Sequence, residues 1–286
     1  MTKYQENDQP QNVQRLHLDQ RGPTLPKVLE NLSDWSSEIL TKREELIRTN
    51  NTKGNNKQLS EYKKLLPNQL SQVALSWSIG LVLSDATVQK NSSEKTRTSR
   101  IKIQQVSYNR ELLDVTLEIL KPYVFTISPV TGRDMYSLAT ITHEAFNILI
   151  DIFQNPQSEL TSSACVQKII PSNIEDYLDE IALSGWFCGD GGKDDYTPNQ
   201  GKGIQFATHG FSLECNQRLA EALRNRYGWE VSCVYDYTNN KNEDLYFLQI
   251  HASSFNSVEQ ILKPYILDSF LRKFPSPRSP NSRYLA

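Results

Sequence analysis

Two nine-residue segments decide the fold of this chain: SIGLVLSDA at residues 78–86 and LSGWFCGDG at residues 183–191. Each ends an uncharged run with helical character, and a helix without a polar face is buried on nearly all sides. Gly80 and Gly185 occupy the third position of the two segments, and Asp85 and Asp190 occupy the eighth. Because a small residue lets another backbone approach closely, the segments predict two packed helices that each end in one carboxylate.

The residues around each segment predict the same order of elements twice. The first helix (70–84) precedes a strand, a helix, a hairpin and a helix at residues 99–106, 110–120, 124–130 with 135–141, and 143–153. The second helix (174–189) precedes the same elements at residues 203–208, 213–227, 231–237 with 245–251, and 255–262. A repeat on this scale indicates an internal duplication.

Composition divides the chain into four segments. Residues 1–66 are polar and irregular, with two islands of helical pattern, and are interpreted as an N-terminal extension. Residues 67–155 form the first half of the duplication and 156–172 a linker. The second half, with a C-terminal tail, occupies residues 173–286.

Bulk composition favours a folded globular protein. The 286 residues are 38% hydrophobic and 22% charged, which is enough for a sizeable core. No apolar run approaches the ~18 residues that a membrane-spanning helix needs, and the N-terminal residues resemble neither a signal peptide nor a transit peptide. The histidines are dispersed and the cysteines lack CxxC spacing, which favours reduced thiols over a zinc site or a disulfide framework: Cys165, Cys188, Cys215 and Cys233.

The two segments resemble the nine-residue motif of the LAGLIDADG family, with Asp85 and Asp190 in the place of its last aspartate. Flanking sequence extends the resemblance to single-chain, intron-encoded members. GGKDDY at 191–196 resembles the tail of their second motif, KIIPSN at 168–173 their Lys-x-x-Pro segment, and KFP at 273–275 their Lys-x-Pro. The resemblance covers about residues 67 to 277, and the departures at Ser84 and at Cys188-Gly189 leave both acids in place.

The resemblance implies an α+β fold of two α-β-β-α-β-β-α repeats about a pseudo-twofold axis. Two saddle-shaped antiparallel sheets would lie in the major groove of double-stranded DNA. The net charge of −2 is unusual for such a partner, because phosphate neutralisation supplies much of the affinity. The protein would have to segregate its charges onto different faces.

Paired carboxylates at the helix ends point to a metal site. Two adjacent acids repel each other unless a cation lies between them, helix C-termini carry partial negative charge, and a hard divalent cation prefers oxygen ligands. Together with the resemblance this implies two or three Mg²⁺ ions, with Mn²⁺ able to substitute, at Asp85, Asp190, Ala86 and Gly189. Such ions activate a water and stabilise the leaving 3′ oxygen of a phosphodiester. The plain alternative for an aspartate beside a glycine is a turn residue, which the duplicated context disfavours.

The resemblance also places Lys168 and Lys273 beside the two active centres. There, positive charge would stabilise the transition state or tune the attacking water. The alternative for each lysine is an ordinary surface charge. Arginine and glutamine suit the reading of base edges, and the candidate DNA contacts are Arg100, Lys102, Gln104, Arg133, Lys193, Gln205, Thr208 and Gln249. The same residues would equally suit the solvated face of a sheet.

The implied function is intron homing: Mg²⁺-dependent double-strand cleavage by a monomer at a long, asymmetric target. No membrane partner is expected, and a mitochondrial origin, or alternatively a chloroplast origin, fits the missing targeting peptide. An RNA-binding maturase for a group I intron is the main alternative, since it needs the fold but not the acids. A DNA-binding regulator with an inactive nuclease core is a third possibility. Contact with DNA, binding of a partner and disorder all stay open for the N-terminal extension.

Overall fold

The computed structural model describes residues 27–30, 32, 35–54, 56–91, 97–154, 168–194 and 203–275. Within these ranges no helix is long and apolar enough to cross a bilayer. Cys165, most of the expected linker, and the two terminal tails lie outside the described residues.

The first half is built around one four-stranded antiparallel sheet. Its elements are α4 (Gln72–Leu83), β1 (Thr87–Lys90), β2 (Ser99–Val106), α5 (Arg110–Ile119), β3 (Ile127–Pro129), β4 (Met135–Ala139) and α6 (Asn147–Phe153). The strand order is β1-β2-β4-β3. Three helices precede this half: α1 (Lys27–Glu30), α2 (Ser37–Arg48) and α3 (Lys57–Lys63).

The second half repeats the same order. Its elements are α7 (Glu180–Asp190), β5 (Gly191–Asp194), β6 (Gly203–Phe206), α8 (Leu213–Tyr227), β7 (Val231–Thr238), β8 (Asp244–Ile250) and α9 (Phe255–Leu262). The strand order β5-β6-β8-β7 matches that of the first sheet position by position. The duplicated α+β fold class is therefore confirmed.

The sequence pattern missed one strand in each half. Both β1 and β5 follow directly after a motif aspartate and pair antiparallel with the next strand. They are only four residues long, and β5 begins with two glycines, so neither shows the alternation that identifies a strand. Each motif helix is therefore followed by a hairpin rather than by a single strand.

The second motif helix also begins later than its composition predicts. Residues 174–177 form a 3₁₀ turn, and α7 begins after Asp179, whose side chain accepts a hydrogen bond of 2.8 Å from the backbone nitrogen of Ala182. An aspartate N-cap satisfies one of the unpaired N–H groups at a helix start. Capping therefore divides the expected helix at 174–189 into two elements.

Alternation along the strands separates an inner face from an outer face. In β2, Ser99, Ile101, Ile103 and Gln105 are buried, whereas the residues between them are partly or fully exposed. Helices α5 and α8 contact the two sheets, so each sheet keeps its other face open. This open face is the surface that each half offers to a partner.

The helices α2 and α3 pack onto the first half. The Arg43 side chain is 5% exposed and donates to the carbonyls of Lys121 (2.7 Å) and Val124 (2.8 Å). The buried Tyr62 hydroxyl donates to the Pro122 carbonyl at 2.8 Å. These contacts join the helical part of the expected extension to the core, whereas its boundary at residue 66 stays a prediction.

Candidate functional site

The site is built where the two motif helices meet. A Cβ on Gly80 would clash with the Ala182 carbonyl and would lie 2.8 Å from the backbone nitrogen of Trp186. A Cβ on Gly185 would lie 3.3 Å from the Trp77 carbonyl. Backbone-to-backbone packing of α4 and α7 is therefore as the two glycines predict, and the fully buried Trp77 and Trp186 flank the contact.

This packing brings the two motif aspartates to the same end of the helix pair. Asp190 is the last residue of α7, and Asp85 follows α4 by two residues. A Cβ on Gly189 would lie 3.4 Å from Oδ2 of Asp85, so the end of α7 borders the Asp85 carboxylate. The two acids come together as the sequence predicts.

The environments of the two aspartates differ. Burial, and next the negative charge of Asp85, raise the pKa of Asp190 to about 7 against the opposing effect of Lys168 and Lys273. Asp85 is exposed and accepts a hydrogen bond of 2.5 Å from Nε2 of Gln105. A divalent cation between the carboxylates would relieve their repulsion and favour ionised Asp190. This donor set therefore fits a hard cation.

Backbone oxygens and substrate would have to complete the coordination. Among the described residues no group of three or more His, Cys, Asp or Glu side chains could hold an ion. Ala86 is buried and its nitrogen donates to the Leu81 carbonyl at 2.8 Å. The Gly189 carbonyl accepts from Lys273 at 2.6 Å. Both residues border the acids, and their role at a metal stays a prediction.

The two lysines occupy matching places, one at the end of each motif helix. Lys168 Nζ donates to the carbonyls of Val82 (2.7 Å) and Ser84 (3.0 Å) at the end of α4. Lys273 Nζ donates to the carbonyls of Cys188 (2.8 Å) and Gly189 (2.6 Å) at the end of α7. Burial lowers the pKa of both ammonium groups, while Asp85 and Asp190 oppose the shift. The lysines satisfy orphan helix carbonyls and also place positive charge beside the acids.

Sequence reasoning missed three residues that support Asp85. Nε2 of Gln105 donates to Asp85, Nδ2 of Asn109 donates to Oε1 of Gln105 at 3.1 Å, and Nη2 of Arg272 donates to Oδ1 of Asn109 at 2.8 Å. We call Gln105, Asn109 and Arg272 the Asp85 network. It connects the second half, through Arg272, to the acid of the first half. A glutamine at an inward position of β2 was the available signal, since an amide there needs a buried partner.

The second half lacks this arrangement. Thr87 and Gly192 each lie two residues after a motif aspartate, and they pair with Lys102 and Gln205, respectively. Lys102 and Gln205 are therefore equivalent positions, and three residues further on Thr208 takes the place that Gln105 has in the first half. Thr208 is fully buried and its hydroxyl donates to Oδ1 of Asn216. The two acids are thus held by different neighbours despite the duplication.

Five of the candidate DNA contacts lie on the open faces of the sheets. Arg100, Lys102 and Gln104 occupy outward positions of β2, and Gln205 pairs with Gln249 across β6 and β8. Arg133 is exposed in the turn between β3 and β4. The geometry leaves all six residues accessible to a partner.

Two of the candidates do not belong to these faces. Thr208 lies two residues after the buried Phe206 and therefore on the same, inner side of the chain. Its side chain is fully buried, so its prediction as a DNA contact is wrong. Lys193 pairs with Ile204, whose side chain is buried. Lys193 therefore points to the helix-covered side of the edge strand and does not share the face of Gln205.

The cysteines show no paired chemistry within the described residues. Cys188 and Cys215 are buried and Cys233 is partly buried, and all three are free thiols. Burial raises the pKa of Cys188 to about 12, so this thiol stays protonated at neutral pH. It packs at the end of α7 as an apolar residue.

A duplicated α+β fold, with two carboxylates at the meeting helix ends and a lysine beside each, defines a class of two-repeat DNA nucleases. The model of the LAGLIDADG DNA endonuclease family matches residues 75–258. This range exceeds half of the 286 residues, so the chain belongs to the LAGLIDADG DNA endonuclease family.

Individual relatives cover parts of the chain. A probable intron-encoded DNA endonuclease 3 from Mycosarcoma maydis is 28% identical over 141 residues, which are 49% of this chain and 93% of the relative. The cytochrome b mRNA maturase bI2 of Saccharomyces cerevisiae is 28% identical over 141 residues, 49% of this chain but only 30% of the maturase. The solved structure of the homing endonuclease I-WcaI, bound to its DNA recognition sequence, covers 82% of this chain and 99% of its own, with a TM-score of 0.64 and 22% identity. This likeness supports the fold.

Proposed function

We propose that this protein is a site-specific endonuclease of the intron-homing type, which hydrolyses phosphodiester bonds in both strands of DNA. The observation that carries the proposal is the meeting of Asp85 and Asp190 at the packed ends of α4 and α7, with one lysine bound to each helix end. The family, and a relative described as a probable intron-encoded DNA endonuclease, support it.

Each group in the site has a distinct role in this proposal. Asp85 and Asp190 would hold two or three Mg²⁺ ions, for which Mn²⁺ could substitute, with Ala86 and Gly189 as the neighbouring backbone positions. When bound, the ions supply an activated water and stabilise the leaving oxygen. Gln105 orients the Asp85 carboxylate through its hydrogen bond of 2.5 Å.

Lys168 and Lys273 act on the charge that develops at the phosphodiester. Two carbonyls hold Nζ of Lys168 and three hold Nζ of Lys273, so the ammonium groups are fixed before substrate arrives. A preorganised cation stabilises a transition state without reorganisation at the moment of reaction. Burial also lowers the pKa of each lysine, which brings proton exchange with a nearby water closer to neutral pH.

The open faces of the two sheets bind the DNA. Arg100, Lys102 and Gln104 contact one half of the target, Gln205 and Gln249 contact the other, and Arg133 reaches the DNA from its turn. One chain carries both sheets, and the faces differ, so a monomer reads a long, non-palindromic site. Because relatives are described as intron-encoded, we further propose an organellar origin in mitochondria, with chloroplasts as the alternative.

Cleavage of a duplex library tests the proposal. The protein is incubated with a plasmid library of candidate intron-insertion sites in Mg²⁺, beside the variants Asp85→Asn and Asp190→Asn. Asp151→Asn is the matched control, since Asp151 is an exposed acid that pairs with Arg97 on the surface. Site-specific double-strand cuts by wild type and control, absent in both site variants, are expected. Folded protein that cuts no duplex, or variants that still cut, would contradict the nuclease function.

A splicing cofactor for a group I intron is the second candidate. It is favoured by the relative described as a cytochrome b mRNA maturase, and such a role uses the fold without the two acids. Tight binding of a structured intron RNA, unchanged in Asp85→Asn and Asp190→Asn, together with absent DNA cleavage, would establish this function instead. Cleavage activity with no RNA affinity would exclude it.

A further inference from the structure

We propose that the open face of the second sheet reads a thymine-rich half of the DNA target through contacts with thymine methyl groups, whereas the first sheet reads guanine-containing sequence. This inference rests on the proposed endonuclease function and adds the base composition of its target. It follows from the difference between two faces that the duplication would otherwise make equivalent.

The second-sheet face is defined by residues that share one side in the strand register. Ser232 pairs with Gln249, Val234 with Phe247, and Tyr237 with Leu245, while Gln249 also pairs with Gln205. Phe247 and Val234 are only partly buried. In these described strands the one basic residue, Lys193, lies on the opposite side. The face is thus apolar along its outer half, and near the active site it carries the amides of Gln205 and Gln249 with the Asp194 carboxylate that accepts from Gln249.

A β-bulge makes the face more apolar than a regular strand would. The register shifts between Tyr235 and Tyr237, so Asp236 has no partner in the ladder and Tyr237 pairs with Leu245. Without the bulge, Asp236 would take that place. Bulges re-aim side chains at functional surfaces. Here the result places an aromatic ring rather than a carboxylate opposite Leu245.

His209 supports the aromatic part of the face. Its ring lies 6.1 Å from the Tyr237 ring and 6.4 Å from the Phe247 ring, measured between centroids. Its Nε2 is 2.8 Å from Oδ2 of Asp236, so the carboxylate of the bulge residue stays beside these rings, bound to the histidine. The aromatic side chains are held together before a partner arrives.

The first-sheet face has the opposite character. Arg100 and Lys102 occupy outward positions of β2, and Nε of Arg100 donates to Oε1 of Gln89 at 2.8 Å. This bond fixes the guanidinium along the strand. Arginine and lysine pair best with the two acceptors of guanine in the major groove.

Apolar side chains discriminate between bases because they offer no hydrogen-bonding groups. Thymine presents a methyl group in the major groove, and apolar residues such as phenylalanine contact it. All four bases present polar groups there, which lose hydration against an apolar face without gaining a partner, and only thymine adds a methyl group that such a face can bury. Gln205 can pair with adenine, whereas Nε2 of Gln249 donates to Oδ2 of Asp194 on the same face. The second-sheet face therefore selects A·T pairs, with thymine methyls over Tyr237, Leu245 and Phe247.

Removal of single methyl groups tests this. A target is first selected from randomised duplexes by wild-type protein in EDTA, so that no cleavage depletes bound DNA. Thymines in each half are then replaced by deoxyuridine, which keeps the base pairing and lacks the methyl group. We expect Kd to rise about tenfold for replacements in one half and to change little in the other.

Two variants assign the effect to the second sheet. Phe247→Ser and Tyr237→Ser should bind thymine and deoxyuridine targets equally. Tyr235→Ser is the matched control, because Tyr235 and Tyr237 are both 52% exposed but the bulge puts them on opposite sides of β7. The control should keep the full methyl dependence.

The outcomes separate this inference from the proposed function. An asymmetric target bound tightly, with no methyl dependence or with equal dependence in Tyr237→Ser, overturns the thymine reading and leaves the endonuclease function intact. Concentration-dependent dimers that Tyr237→Ser abolishes would show that the face pairs with a second copy, and would also overturn it. Absence of any selected duplex would instead remove the proposed function.

Discussion

The substitution Gly80→Ala tests whether the packed helix pair positions the acids. An alanine Cβ at residue 80 would clash with the Ala182 carbonyl and lie 2.8 Å from the Trp186 nitrogen, about 0.7 Å inside the ~3.5 Å of an ordinary contact. Both neighbours are backbone atoms of α7. No change of rotamer can relieve the clash, so the two helices must separate.

The magnitude follows from two opposing effects. Overpacking a core costs about 1–3 kcal/mol, and contact with fixed backbone puts Gly80→Ala near the upper end. Replacing a helical glycine by alanine gains about 1 kcal/mol of helix propensity. The net expectation is a loss of about 2 kcal/mol in the free energy of unfolding, or a Tm lower by about 4–8 °C. Cleavage should fall as well, because separation of α4 from α7 moves Asp85 relative to Asp190.

Gly185→Ala is the matched control within the same interface. Its Cβ would lie 3.3 Å from the Trp77 carbonyl and 3.5 Å from the next atoms, so a shift of a few tenths of an ångström suffices. We expect a stability within about 0.5 kcal/mol of wild type, since the propensity gain offsets the tight contact. Urea unfolding followed by the fluorescence of buried Trp77 and Trp186 measures both variants. Equal costs for the two glycines, or a Gly80→Ala variant as stable as wild type, would refute the reasoning.

Three further predictions concern the rest of the site and its support. The Asp190 carboxyl has a pKa of about 7 in the metal-free fold, against an ordinary value of 3.8. Between these two values the native state holds a proton that the unfolded chain has lost, so the free energy of unfolding should fall as pH rises from about 4 to 7. Asp190→Asn should flatten this slope in EDTA, and an unchanged urea midpoint profile would contradict it. Asn109→Ala and Arg272→Ala should each slow plasmid cleavage about tenfold. The double variant should be no slower than either single variant, because the two residues act in series. Additive losses in single-turnover rates would exclude the Asp85 network. Arg43→Met removes the side-chain donor from the Val124 carbonyl and leaves the Lys121 carbonyl with only the longer bond from the Val124 nitrogen, which should cost about 2 kcal/mol in unfolding free energy. A loss under about 1 kcal/mol, measured by denaturant melts, would show that α2 is dispensable for the core.

The long elements of the fold could be predicted because their patterns are periodic. Helix α8 was expected at 213–227 and strand β2 at 99–106, and both have these bounds. Strands β1 and β5 escaped notice because four residues carry too little alternation. The expected second motif helix was divided because capping by Asp179 is a local event, which a hydrophobicity pattern does not register.

The site residues that lie at the ends of recognisable sequence segments could be predicted. The residues whose role depends on which face of a strand they occupy could not. The acids and lysines stand at the ends of recognisable segments, and the fold brings them together. Thr208 was predicted wrongly because its polar side chain suggested a DNA contact, whereas alternation from Gln205 puts residue 208 on the inner side with Phe206. Arg272 was missed because it meets Asn109 across the two halves, 163 residues away in the sequence, and neither segment alone indicates that contact. Gln105 could have been found, since an amide at an inward position of β2 needs a buried partner.

The net charge of −2 is compatible with the proposed function because the charges are arranged along the second motif helix. Asp179 and Glu180 stand at its start, where negative charge suits the helix dipole. Eleven residues later, about 16 Å along the axis, the same helix ends in Asp190 with Lys273 bound to its carbonyls. Asp179 and Glu180 are therefore distant from the reacting end, where Lys168, Lys273 and an incoming cation decide the local field. At this distance surface charges are largely screened at physiological salt, so the total charge says little about the potential that DNA meets at Asp85 and Asp190.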